Sequence, residues 1–420
     1  MKTFIEKITF KNSISYIPFL LSFLLPFLII FSRAIADITI IFVSIFFICI
    51  SFIKKDWDWA KSKWFVLALL FWIYCLLIVS PFSINFEKSF LYSFYFIRWP
   101  IFAMALYYWI FKDLNNLKNF LKITSLVFLF LCFDAWWQYF NGIDIFGFPK
   151  FSLDRLTGPF DRPIIGMWLT KIIFFLFLYL YLKNDLKKRN KNFFKILVIF
   201  ALFFSTIFIS GERMALILSF FTILILVTGL LYEKFLSIKQ MVYIILLISF
   251  TIIIFFIYDP IIFNRSIISS IEKIINWKSS DYGIVWESAY MVWIKSPIIG
   301  SGFHTYREAC DALIVYGSHD NPISSGVCFH PHNISLELLS ELGVLGFIFF
   351  YLIIFFIAYE LRNVFKEKKY YLYAIFLAIL FSCFFPLSSG MSIFSNKFAS
   401  LIWLLIGTSL AFNNINHKIK

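Results

Sequence analysis

Apolar residues run along this chain in long unbroken blocks, separated by short polar clusters. A helix needs about 20 such residues to cross the hydrocarbon layer of a bilayer. Lipid admits only structures whose backbone polar groups are satisfied from within, and the blocks lack the period-two alternation of a membrane barrel. The pattern predicts about twelve spans, near 13–31, 34–53, 64–80, 92–110, 119–140, 164–182, 196–210, 214–231, 241–258, 334–359, 370–386 and 396–413. The expected fold class is an all-α integral membrane protein. The first block reads as a helix and not as a cleaved leader: it lacks a small-residue cleavage site, and a second span follows at once.

The polar segments divide the chain further. Residues 1–258 carry nine spans with a loop near 141–163, residues 259–333 form one large loop, and residues 334–420 carry the last three spans and a tail. Loops longer than about 15 residues are uncommon and usually functional. Within the large loop, Ile267 to Trp277 and Tyr282 to Ile294 have helical amphipathic spacing. Trp277, Trp286 and Trp293 sit in them as expected for helices lying at a membrane interface.

Composition agrees with this reading. Hydrophobic residues make up 61% of the chain, charged residues 15%, and mean hydropathy is +0.85, more apolar surface than a soluble domain could hide. The net charge of +14 is concentrated in short loops. Lys54, Lys55, Lys61 and Lys63 fill one, Lys183, Lys187, Lys188, Arg189, Lys191 and Lys195 a second, and Arg362, Lys366, Lys368 and Lys369 a third. With twelve spans these loops share one face, which the positive-inside bias makes cytoplasmic. The charge therefore calls for membrane lipids as partners and no nucleic acid.

On the opposite face lie Arg155, Asp161, Arg162, Glu212, Arg213, Arg265, His330 and His332. Charges at span ends are expensive to keep and usually functional. Ile-Ser-Gly-Glu-Arg-Met-Ala-Leu forms a tight turn in which Gly211 permits the reversal and Arg213 re-enters the membrane; an ion pair with Glu212 would orient Arg213. Guanidinium groups suit phosphates because their planar fork donates two parallel hydrogen bonds. Of 5 histidines, His319, His330 and His332 crowd the end of the large loop. His330-Pro-His-Asn333 runs directly into an apolar block, so Asn333 can cap the helix, and His332 is a candidate general base. Near mid-span the chain is almost free of charge; Asp134 is the exception, and Arg98 on a neighbouring span is its candidate partner. No carboxylate or cysteine cluster of ligand spacing accompanies the histidines, and no glycine-rich nucleotide motif appears, so neither a metal nor a cofactor is expected. Cys310 and Cys328 share the large loop; an oxidising compartment would let them pair, and their spacing leaves the matter open.

These residues resemble the O-antigen ligase and O-antigen polymerase family of bacterial envelope glycosyltransferases. The resemblance rests on Arg155-Leu-Thr-Gly-Pro-Phe-Asp-Arg-Pro-Ile-Ile-Gly166, Ser210-Gly-Glu-Arg-Met-Ala215, Trp286 through Ser296-Pro-Ile-Ile-Gly-Ser-Gly-Phe303, and His330-Pro-His-Asn333 with Glu341-Leu-Gly-Val-Leu-Gly346. A weaker segment is Pro386-Leu-Ser-Ser-Gly390. Together they cover about 150 to 410, whereas 1–140 match only as generic spans. Relatives often carry an arginine four positions before the tryptophan of the third segment; here that position is Tyr282, and Arg265 or Arg307 could compensate.

The resemblance implies transfer of a glycan from an undecaprenyl-pyrophosphate carrier to a hydroxyl acceptor, without metal, on the periplasmic side of the bacterial inner membrane. It implies lipid A core as acceptor for a ligase, a second carrier-linked repeat for a polymerase, and serine or threonine for a protein O-glycosyltransferase. His332, Arg213 and Arg265 are the expected catalytic residues. Arg155, Asp161, Arg162, Glu212, His330 and Asn333 are the expected substrate contacts. A secondary transporter or flippase is the reading from a different class, since twelve spans fit one; charges near the bilayer midplane and an internal repeat would mark it.

Overall fold

The computed structural model describes residues 2–183, 189–316, 328–387 and 390–418. His319 lies outside the described residues. Among the described residues, ten helices are long and apolar enough to cross a membrane: Arg33–Lys54, Lys63–Phe82, Phe86–Ile110, Leu114–Asn141, Ile165–Leu182, Phe193–Ser210, Arg213–Tyr232, Ile238–Tyr258, Ile334–Lys366 and Asn396–Asn416. Two shorter apolar helices, Ile17–Phe31 and Tyr370–Phe384, complete the expected set. The described residues form no strand beyond two isolated bridges, Ile143 with Pro149 and Ser152 with Arg155. The fold is that of an all-α integral membrane protein.

Packing order follows side-chain chemistry. The helix Asn396–Asn416 is 94% buried, and Ile165–Leu182, which packs along Leu114–Asn141, is 83% buried; these form the centre. Ile238–Tyr258 is only 17% buried and turns Ile245, Leu246, Phe250 and Phe256 outward, the surface that lipid would cover.

The large loop is mostly short helices, among them Ser269–Ile275, Asp281–Lys295 and Tyr306–Tyr316. Ser280 caps the second of these by accepting from the Gly283 amide (3.2 Å). The helix that follows His332 is not continuous. Its backbone leaves helical geometry at Gly343 (φ 67°, ψ −172°), and the loop segment after Asp281–Lys295 docks into the break. Ser301 N donates to Ser340 O and Gly302 N to Glu341 O (2.9 Å each), while Val344 N donates back to Pro297 O (2.9 Å). The Tyr74 hydroxyl donates to Leu342 O (2.9 Å). The interruption is therefore satisfied by backbone groups of the loop, as a break at membrane depth requires. It also joins the Pro297–Gly302 and Glu341–Gly346 segments into one unit.

Candidate functional site

The turn at Ser210–Arg213 gathers three distant segments. Gly211 adopts φ +68°, and Ser210 O accepts from Leu156 N (3.2 Å). Gly211 O accepts from Arg265 Nε (2.9 Å), and Arg265 Nη1 pairs with Asp154 Oδ2 (3.1 Å). The 141–163 loop is pinned from below by Gln138, whose Oε1 accepts from Thr157 N (3.0 Å) and Gly158 N (2.9 Å). Arg155 is thereby held beside the turn, with its Nη2 on Pro163 O (3.3 Å) and its guanidinium 5.3 Å from the Phe151 ring.

Arg155, Arg213 and Arg265 lie within electrostatic reach of one another. Burial pushes the Arg155 pKa down from the usual guanidinium range, Arg265 and Arg213 add to that, and Glu212 opposes it. Among the described residues, the Nε atoms of Arg155 and Arg213 are buried with no hydrogen-bond partner. Glu212 does not pair with Arg213 as the sequence suggested. Its carboxylate accepts from Gly166 N (2.5 Å) and Met167 N (3.2 Å), holding the first turn of Ile165–Leu182, where a negative charge meets the helix dipole. Burial raises its pKa to about 7, against the pull of those amides and of Arg155.

His332 also sits in the left-handed region, at φ +50°, which is uncommon for a residue with a side chain. Asn333 follows in extended geometry and caps the next helix, its Oδ1 accepting from Ser335 N (3.0 Å) and Leu336 N (3.2 Å). That oxygen is engaged at the helix end. The His332 ring lies 6.2 Å from Tyr282 and 4.9 Å from His330, centre to centre. Tyr282 in turn lies within electrostatic reach of Arg155 and Arg213. Tyr282 is thus near both the imidazole and two of the arginines. Lys273 Nζ lies 5.7 Å from the Tyr282 ring and pairs with Asp281. Arg307 sits elsewhere, 3.8 Å from Asp311 and 5.0 Å from the Phe329 ring.

His330 is partly buried, with Nδ1 3.9 Å from Glu337 Oε2. Burial, reinforced by His332 and His304, pushes its pKa well below the ordinary histidine value. It lines a cavity of about 220 Å³ with Lys88, His304, Arg307, Glu337 and Glu341. Cys310 and Cys328 form a disulfide that ties the helix Tyr306–Tyr316 to the chain just before His330.

Other expected residues fall elsewhere. Asp161 and Arg162 are exposed, and Asp161 faces Lys397 instead of the arginine cluster. Asp134 does not meet Arg98. It is fully buried and accepts from Ile145 N (3.0 Å), while Arg98 pairs with Asp37 (2.9 Å) on another helix. Nor are the spans as free of charge as expected: Lys171 is fully buried in Ile165–Leu182, with Nζ 4.9 Å from the Phe398 ring and 3.4 Å from Met167 O. Among the described residues, no three His, Cys, Asp or Glu side chains come together as metal ligands would.

His304 was not singled out by the sequence. It sits at φ +61°, donates its backbone amide to Glu341 Oε2 (2.8 Å) and stacks on Tyr92 (centroids 4.1 Å apart). Burial, then Lys88, lowers its pKa to about 4. Its place at the end of Pro297-Ile-Ile-Gly-Ser-Gly-Phe303, the segment that docks into the helix break, was the available signal.

No curated protein matches this sequence. Residues 196–351 match the family model described as O-antigen ligase, a stretch that holds Glu212, Arg213, Arg265, Tyr282 and all three described histidines of the site, His304, His330 and His332. Over that stretch, less than half of its length, the chain is similar to the O-antigen ligase family.

Proposed function

We propose that this protein transfers a glycan from an undecaprenyl-pyrophosphate carrier to a hydroxyl of lipid A core at the periplasmic face of the bacterial inner membrane. The observation that carries the reading is that Arg155, Arg213 and Arg265 cluster, and that Tyr282, within reach of Arg155 and Arg213, is also near His332. The residues divide the chemistry. A diphosphate is a good leaving group, so what it needs is stabilisation of negative charge as its bond to the sugar breaks. Fixed guanidinium groups in a partly dry site supply that.

The acceptor hydroxyl needs a base. Imidazole is the side chain whose ordinary pKa lies nearest neutrality, and His332 stands beside the cluster in a backbone geometry fixed by its neighbours. The acceptor O–H gives its proton to His332 as the oxygen bonds to the anomeric carbon. The sugar–phosphate C–O bond breaks, the electron pair leaves with the diphosphate, and the imidazolium later returns its proton to water. His330, kept neutral by burial, positions His332 by packing on it. The Lys and Arg clusters of the opposite loops support the orientation.

The test is transfer by His332→Ala in purified, membrane-reconstituted protein. Such a base contributes about 10²–10⁴-fold, so activity should fall by that factor while carrier binding persists; full activity removes His332 as the base. Ligase and polymerase separate in a deletion strain: loss of a ligase leaves bare core, and loss of a polymerase leaves core with a single repeat.

A further inference from the structure

The contacts that run from the arginines through Tyr282 to His332 and His330 continue into the small cavity, whose wall His304 also lines a second cavity of about 450 Å³. Apart from His304, every residue lining this larger cavity lies outside 196–351. Its floor is a closed polar ring joining three helices. Arg98 Nε pairs with Asp37 (2.9 Å), Arg98 Nη2 donates to Asn396 Oδ1 (3.1 Å), and Asn396 Nδ2 donates to Asp37 Oδ2 (3.2 Å). Arg98 is only 8% exposed and lies 4.0 Å from the Trp99 ring. The Arg98–Asp37 pair is neutral as a unit. Arg33 and Lys397 line the same space and leave it net positive even with Asp161 set against Lys397, whose Nζ is held 4.5 Å from the Phe160 ring.

We infer that this cavity binds the acceptor, an oligosaccharide carrying a phosphate or carboxylate group. Aromatic faces beside planar polar groups suit a sugar ring, and two cations beyond a neutral pair suit one negative substituent. The inference rests on the transfer reaction proposed above. The diphosphate of the donor belongs at the arginine end of the run. The acceptor must reach His332 from elsewhere, because the hydroxyl that loses its proton is not part of the leaving group. The cavities beyond His330 and His304 are where the run of contacts leads. A lipid headgroup could also satisfy Arg33 and Lys397, but it has no use for a rigid ring of amide, carboxylate and guanidinium below them.

The test uses the full chain in nanodiscs. Core oligosaccharide, with its phosphates intact or enzymatically removed, is titrated onto His332→Ala protein, with and without Arg33→Gln and Lys397→Gln. The intact oligosaccharide should bind at least tenfold more tightly than the dephosphorylated one, and the two substitutions together should erase that preference. In otherwise unaltered protein the double variant should raise the acceptor KM about tenfold and leave the donor KM within twofold. A rise in the donor KM instead, an unchanged acceptor KM, or competition by phosphatidylglycerol as strong as by oligosaccharide overturns the inference. Arg33 is exposed, so Arg33→Gln alone carries the test if the double variant melts early. If His332→Ala is fully active the proposed reaction fails, yet the titration still decides what the cavity holds. If His332→Ala is inactive and the titration shows no phosphate preference, the cavity inference fails alone.

Discussion

Gly211→Ala separates backbone strain from site geometry. A left-handed conformation costs a residue with a side chain about 1–2 kcal/mol. At Gly211 (φ +68°) the new Cβ would also lie 1.9 Å from Asp154 O, 3.1 Å from Asp154 C and 3.3 Å from Arg265 Cδ. Ordinary carbon contacts need about 3.5 Å, so the Asp154 carbonyl must retreat by roughly 1.5 Å. That carbonyl precedes Arg155, and the Asp154 side chain holds Arg265. Two of the three clustered guanidinium groups therefore move. Displacements of about 1 Å can cost 10²-fold in rate, and that is the loss expected in kcat/KM for the carrier-linked donor. Gly142→Ala is the control. Its φ is +82°, but a Cβ there meets nothing within 4 Å, so it carries the strain without the collision. Both variants should melt a few degrees early in nanodiscs, and only Gly211→Ala should lose transfer. Equal activity in the two variants, whether high or low, would refute the argument that this turn sets the arginine positions.

Arg213→Lys should lose most transfer, since an ammonium cannot reproduce the guanidinium fork; near-normal turnover would make Arg213 a topological marker. Glu212, whose pKa is raised from 4.5 to about 7, keeps a proton in the folded protein that the unfolded chain releases between those values. Its contribution therefore favours the fold at low pH and is lost as pH rises through about 7. Glu212→Gln should accordingly flatten the decline of melting temperature between pH 5 and 8, and parallel curves would contradict the raised pKa. EDTA should leave transfer by purified protein unchanged; a loss restored by one divalent cation would overturn the metal-free reading.

The helical architecture was legible because each span writes its own apolar block, a local signal about 20 residues long. The Ser210–Arg213 turn was legible for the same reason. What the sequence misplaced was pairing across the fold. Asp134 and Arg98 looked like partners because each was an isolated charge in a span, yet Asp134 takes the nearby Ile145 amide and Arg98 takes Asp37 and Asn396. Glu212 looked like Arg213's partner by adjacency, but a carboxylate at a turn is drawn to exposed amides, and those of Gly166 and Met167 are supplied by the next helix. Asp161 and Arg162 belong to the same motif as Arg155, but they lie on the far limb of its loop and face another part of the surface. Lys171 was overlooked because a single cation hardly dents an apolar average, and only the packed structure shows it fully enclosed.

The charge balance of the cluster explains why it can exist before substrate arrives and why it favours an anion afterwards. Three acids lie beside the cations, and each is already engaged: Asp154 holds Arg265, Glu212 takes two amides, and Asp281 pairs with Lys273. Asp154 and Asp281 lower the repulsion among the guanidinium groups, Glu212 adds to this as it ionises near pH 7, and none occupies the Nε atoms of Arg155 and Arg213. A buried donor without a partner costs about 1–3 kcal/mol. The folded protein bears that cost at two arginines, and phosphate oxygens beside the guanidinium groups would offset their charge. Replacing the anion by a neutral sugar would not, because a hydroxyl cannot offset several guanidinium charges. Under the proposed transfer, the same arrangement would set affinity for the diphosphate and, as negative charge builds on the leaving oxygen, would favour the transition state over the bound carrier.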